Sequence, residues 1–103
     1  MKSILTKYTE LCTICGRRTE AIHHLLFGTG IRELADEDGI VIPICNDCHN
    51  MGGGRRQLHD NSVAEMLSKI CGQLAYEKHL VAQGYTEDDA RERFRKRYGR
   101  SYL

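Results

Sequence analysis

The sequence predicts a small α+β domain built around a metal, and three observations carry that prediction. Two Cys-x-x-Cys pairs, Cys12/Cys15 and Cys45/Cys48, fall in the first half of the chain. Two short runs rich in β-branched residues lie between the pairs, and residues 62–98 carry helical periodicity with capping signals. With 103 residues, 41% hydrophobic and 28% charged, the chain has the composition of a folded protein and room for one core. The reading is a single domain over residues 1–103, with a cysteine- and histidine-rich part over about 10–60 and a helical part over about 62–98.

The composition also excludes several classes. Five cysteines are an awkward number for a disulfide framework. The amino-terminal apolar stretch is too short for a secretory signal, and no apolar run approaches the roughly 18–20 residues that span a bilayer. A cytoplasmic protein with no membrane partner is expected. The formal net charge of +1 does not announce a nucleic-acid partner, but its distribution is uneven. Arg91, Arg93, Arg95, Lys96, Arg97 and Arg100 crowd the tail, with Glu92 the only acid among residues 91–100.

A two-residue spacer lets both thiolates of a pair approach one metal from a tight turn. Two such pairs, Cys12/Cys15 and Cys45/Cys48, supply the four tetrahedral ligands of a closed zinc site. Gly16 after the first pair assists the turn. A thioredoxin-like redox role would need one Cys-x-x-Cys in a strand-to-helix setting within a larger fold. Four unrelated buried cysteines would seldom fall into two paired spacers. A four-sulfur site leaves no position open to substrate, so this zinc is read as structural, contributing on the order of 10 kcal/mol to folding.

The elements follow. Glu20–Phe27 and Ile40–Ile44 read as two strands, paired with each other. Gly28–Gly30 and Gly52–Gly54 mark loops and lack a phosphate-loop pattern. Ser62-Val-Ala-Glu65 has capping-box spacing and starts a helix. Val63, Leu67, Ile70, Cys71, Leu74, Lys78 and Val81 form one stripe, read as its core face, with Cys71 a small buried hydrophobe and Gly84 the stop. Thr86-Glu-Asp-Asp89 caps a second helix over about 86–98. Its apolar face is Ala90, Phe94 and Tyr98, leaving the basic residues toward solvent.

His23 and His24 are adjacent, His49 follows Cys48, and His59 lies ten residues beyond His49. A completed four-cysteine site needs none of them, yet the cysteine pairs draw them together. His79, out on the long helix, reads as a surface residue.

The string His23-His24-Leu25, a glycine loop, Ile42-Pro43-Ile44-Cys45-x-x-Cys48-His49 and a later His59 resembles the HNH endonuclease superfamily, in particular phage-type members with two zinc knuckles. The likeness covers about residues 12–59. It implies a ββα-metal, treble-clef-like unit followed by two added carboxy-terminal helices, in a bacterial or phage-encoded protein. It further implies a metal-dependent endonuclease acting on DNA, double-stranded by expectation. His24 matches the general base, a task suited to imidazole. His23, His49 and His59 match the ligands of a catalytic divalent cation, Mg2+ or Mn2+, with Zn2+ or Ni2+ as further options.

The middle asparagine of the motif has no counterpart. Ile40 stands near its place, and Asp38, the nearest polar residue, is assigned an orienting role. Arg55, Arg56, Arg93, Lys96 and Arg97 are the expected phosphate contacts. A homodimer would suit cleavage of two strands, the apolar face of the last helix being the hint of an interface. The alternative is a catalytically inactive zinc module that binds nucleic acid or a protein partner, favoured by the missing asparagine and near-neutral charge. One geometric condition attaches to the enzyme: neighbours on a strand point to opposite faces, so His23 and His24 serve one site only where the strand ends or bends.

Overall fold

A computed structural model describes residues 1–53 and 56–103. The chain order is β1 (Ala21–His24), α1 (Ile31–Asp38), β2 (Val41–Ile44), a π-helical turn (Asp47–Met51), α2 (Ser62–Ala82) and α3 (Glu87–Tyr98). The α+β class is as predicted. β1 and β2 pair antiparallel, with Ala21 opposite Ile44, His23 opposite Ile42 and His24 opposite Val41. Pro43 is tolerated in β2 because each strand of a two-stranded sheet has a free edge. Both strands are shorter than the runs that predicted them.

The segment between the strands differs from expectation. Residues 31–38, to which the sequence reading assigns no element, form α1, entered through Gly30 and closed by Gly39, both with left-handed backbones at φ 78° and 72°. Ile31, Leu34 and Ala35, at helical spacing, pack on the core. That core joins Leu25, Leu26, Ala35, Ile40 and Ile42 to Phe94 and Tyr98 of α3. A second cluster, Cys12, Ile44 and Cys45, lies at the other end of the sheet.

α2 begins one residue earlier than the capping box suggests. Asn61 is the cap, its side chain accepting the Ala64 amide at 3.2 Å. The larger correction concerns its facing. The stripe that reads as core is exposed: Val63 is 68% and Leu67 54% accessible, and Cys71 is exposed. Ser68, Gly72, Gln73 and Glu77 are buried instead.

Closeness of approach explains the reversal. α2 crosses the chain at Gly72, where an added Cβ would lie 3.0–3.2 Å from Leu26, Leu25 and Ile40 side-chain atoms. The polar residues on that face are satisfied rather than excluded. Gln73 donates to Glu77 and Ser101 and accepts the Tyr102 amide, while Arg91 donates to both Glu77 oxygens at 3.1–3.2 Å.

α3 matches expectation. Thr86 accepts the Asp89 amide, and Ala90, Phe94 and Tyr98 are buried. Phe94 and Tyr98 stack with centroids 4.7 Å apart, leaving this face no part in an intermolecular contact and removing the hint of a dimer it offered. Among the described residues, no helix is long and apolar enough to cross a membrane.

Because the Gly72 contact holds α2 against Leu25 and Leu26, Gly72→Val should destabilise the chain by about 1–3 kcal/mol. A lowered urea midpoint at unchanged zinc content checks this.

Candidate metal centres and the histidine pocket

The first cysteine pair sits on a turn in which Gly16, at φ 79°, donates its amide to the Cys12 carbonyl. The Cys12 amide in turn donates to the Arg17 carbonyl, and the Thr13 amide donates to the Pro43 carbonyl at 3.0 Å, fixing this turn to β2. The second pair follows directly from β2. The four sulfurs of Cys12, Cys15, Cys45 and Cys48 lie within 4.8 Å of one another, and Cys15 and Cys45 are 3.6 Å apart. A tetrahedron with Zn–S bonds of about 2.3 Å has edges of about 3.8 Å, so this cluster is compatible with a structural zinc. Arg17 points its guanidinium at the Cys15 and Cys45 sulfurs at 3.4 and 3.5 Å. That contact pulls the Cys15 thiol down to about 6, favouring the thiolate a metal needs.

The histidines assemble on the far side of β2. The stretch between His49 and His59 loops out and returns: Leu58 donates its amide to the Cys48 carbonyl at 2.8 Å and His59 to the His49 carbonyl at 2.9 Å. Gln57 braces the return by accepting the Gly53 amide and donating to the His59 carbonyl. Gly52 is required at the exit, since a Cβ there would fall 2.1 Å from the Asp47 carbonyl oxygen. His23, His49 and His59 thus present ring nitrogens within 4.8 Å of one another, a second cluster able to hold a metal.

The tautomers follow from the partners. Ser68 has one hydroxyl proton and donates it to the Leu25 carbonyl at 2.9 Å, so it accepts from Nε2–H of His23 at 2.8 Å. The lone pair of His23 is therefore on Nδ1, which is buried and has no hydrogen-bond partner among the described residues. His59 Nδ1 lies 3.0 Å from Glu65, which fixes its proton there and leaves Nε2 as the ligand atom. Burial is the main cause that pushes His23 down to about 3 and lowers His49, with neighbouring imidazoles adding to both. Neutral, donor-ready imidazoles are what a cation site requires.

His24 is the last residue of β1, which meets the condition on strand alternation. It lines a cavity of about 270 Å³ together with His23, Phe27, Arg32, His49 and His59. Its Nε2 is 3.1 Å from Asp36, and Arg32 donates Nε–H to its Nδ1 at 3.4 Å. Arg32 and Asp36 stand at i and i+4 on α1. The sequence reading missed both, and the signal that would have found them is the Ile31/Leu34/Ala35 periodicity between Gly30 and Gly39.

Asp38 is not beside His24. It accepts from Tyr98 Oη and, at 2.6 Å, from Arg97 Nε, and so ties α1 to α3. Asp36 holds the position assigned to Asp38, because it lies one turn beyond Arg32 on the same side of α1. Arg97, committed to Asp38 and Glu37, is not a free phosphate contact. Arg93 stacks on Tyr85 at 4.3 Å and Lys96 lies 4.0 Å from Glu92; neither lines the histidine cavity. Arg56 is exposed, and Arg55 lies outside the described residues. Comparison with protein-family models, curated proteins and solved structures gives no match.

The two clusters should separate by mutation. Cys45→Ser should lose zinc and the cooperative melting of the chain, whereas His23→Ala should keep zinc at the cysteines and lose the binding of a second divalent ion. Metal content by mass spectrometry and melting by circular dichroism check this; equal zinc loss in both variants would merge the sites.

Proposed function

We propose that this chain is a metal-dependent endonuclease of the HNH type, hydrolysing phosphodiester bonds in DNA. The observation that carries the reading is the buried, unpartnered Nδ1 of His23, aimed into a cluster with His49 and His59 beside a histidine held by a carboxylate. β1, β2 and the short turn at Asp47–Met51 would correspond to the ββα-metal unit, with the cysteine cluster beneath it.

His24 is the general base. With Asp36 holding the Nε2 proton, Nδ1 is the nitrogen that accepts a proton from the attacking water. Arg32 now occupies that nitrogen and must leave it, and a phosphate oxygen is a stronger partner for its guanidinium than a neutral imidazole. Substrate thus frees the base as it engages Arg32. A cation held by His23, His49 and His59 would neutralise charge on the scissile phosphate and its leaving oxygen. The donor set is all imidazole, which suits nickel or zinc better than magnesium.

The alternative is a catalytically inactive zinc module that binds nucleic acid or a protein partner; the engagement of Arg97 with Glu37 and Asp38 removes a cation from the expected phosphate surface and so favours the protein partner. One assay separates the two. Supercoiled plasmid incubated with the protein and nickel, manganese, zinc or magnesium should be nicked, most effectively with the imidazole-preferring ions. His24→Ala should slow nicking by about 10²–10⁴-fold at unchanged zinc content. Folded, zinc-loaded wild type that cleaves neither plasmid nor single strands with any of these ions would sink the enzyme.

A further inference from the structure

The exposed stripe of α2 is the largest feature that the proposed activity leaves without a role. Val63, Leu67, Leu74 and Val81 are 68%, 54%, 49% and 42% accessible, and Met66, half-buried Ile70 and exposed Cys71 extend the same surface. Leu67, Cys71, Leu74, Lys78 and Val81 recur at alternating spacings of four and three, the period that keeps a seam facing a partner helix. Ser68 and Gly72, on another side of α2, already face the core, so covering the stripe leaves the histidine cavity open. No described segment of the chain covers it.

We infer that a second copy of this chain packs on the stripe, with the two α2 helices antiparallel about an axis between Ile70 and Cys71. In that register Leu67 meets Leu74 of the second copy at both ends, and Ile70 meets Cys71. Lys78, the one charge in the stripe, lies over Val63 of the second copy, near the amino-terminal end of its α2, where Asp60 is exposed just ahead of the helix. Neither Lys78 nor Asp60 has an ion-pair partner among the described residues, so the lysine of the seam and the acid ahead of the partner helix are of opposite sign across the axis. Val63 of the second copy, over Lys78, would also reach the mouth of a cleft of about 450 Å³ that Leu74, Lys78 and Val81 line with the start of α3.

The area agrees with a weak self-association. The exposed apolar side chains offer about 500 Å² per copy, roughly 1,000 Å² in the pair, which is the lower bound of a specific interface and the size class of weak, transient association. This inference stands apart from the nuclease reading, since it uses no residue of the histidine cavity.

Sedimentation velocity of the zinc-loaded chain should show a reversible monomer–dimer equilibrium, with dimer predominant at about 100 µM. Leu67→Glu with Leu74→Glu should give a monomer at the same concentration, with the circular dichroism and zinc content of the wild type. A short bismaleimide should cross-link two copies through Cys71, and Cys71→Ser should abolish the product. A wild type that stays monomeric at about 100 µM would assign the stripe to a different protein and overturn the proposal. A dimer that survives both glutamates would also overturn it, and a glutamate-sensitive dimer without the Cys71 product would overturn the antiparallel register.

Discussion

The convergence of four sulfurs at one end of a two-stranded sheet is the constraint from which the rest of the first sixty residues follows. β2 is only Val41–Ile44, and a two-stranded ribbon of that length has little stability of its own. Its last residue leads directly into Cys45, while the Thr13 amide holds the other cysteine turn to Pro43. A metal at the cysteines would therefore fix the register of the strand as well as the turns. The strand in turn fixes β1, which carries His23 and His24.

The histidine cavity depends on that frame in a second step. His49 follows Cys48 and is placed by it, but His59 arrives through backbone pairing of Leu58 with Cys48 and of His59 with His49. α2 then supplies Ser68 to His23 and Glu65 to His59, setting which nitrogen of each ring is free. Two of the three imidazoles of the candidate ligand set are thus oriented by one helix. The price is a buried imidazole nitrogen with no partner among the described residues, an exception among buried polar groups, most of which are paired.

Legibility in the sequence was uneven. Thr86, Ala90, Phe94 and Tyr98 were readable because cap and apolar face are local and agree with each other. The facing of α2 was not. Its apolar residues make a regular stripe, and periodicity says that a stripe is buried without saying by what. Gly72 reverses the expected orientation because close approach to Leu25, Leu26 and Ile40 needs a missing side chain, and the polar neighbours it brings inside find partners in Arg91, Ser101 and the Tyr102 amide. Asp38 was misassigned for a similar reason. Sequence proximity to Ile40, near the place of the motif's missing asparagine, favoured it, but a helix separates residues two apart by more than half a turn, so Asp36 turns to His24 and Asp38 to α3.

By itself the sequence determined the α+β class, the two cysteine turns, the tandem histidines and the cap of α3, all of which rest on spacings of a few residues that covalent geometry enforces. Tertiary structure alone decided that α1 lies against His24, that Arg32 and Asp36 flank its ring, that Arg97 is engaged by Asp38 and Glu37, and that the apolar stripe of α2 faces outward. Those outcomes depend on which surfaces approach most closely, and that is set by the volume of side chains far apart in the chain.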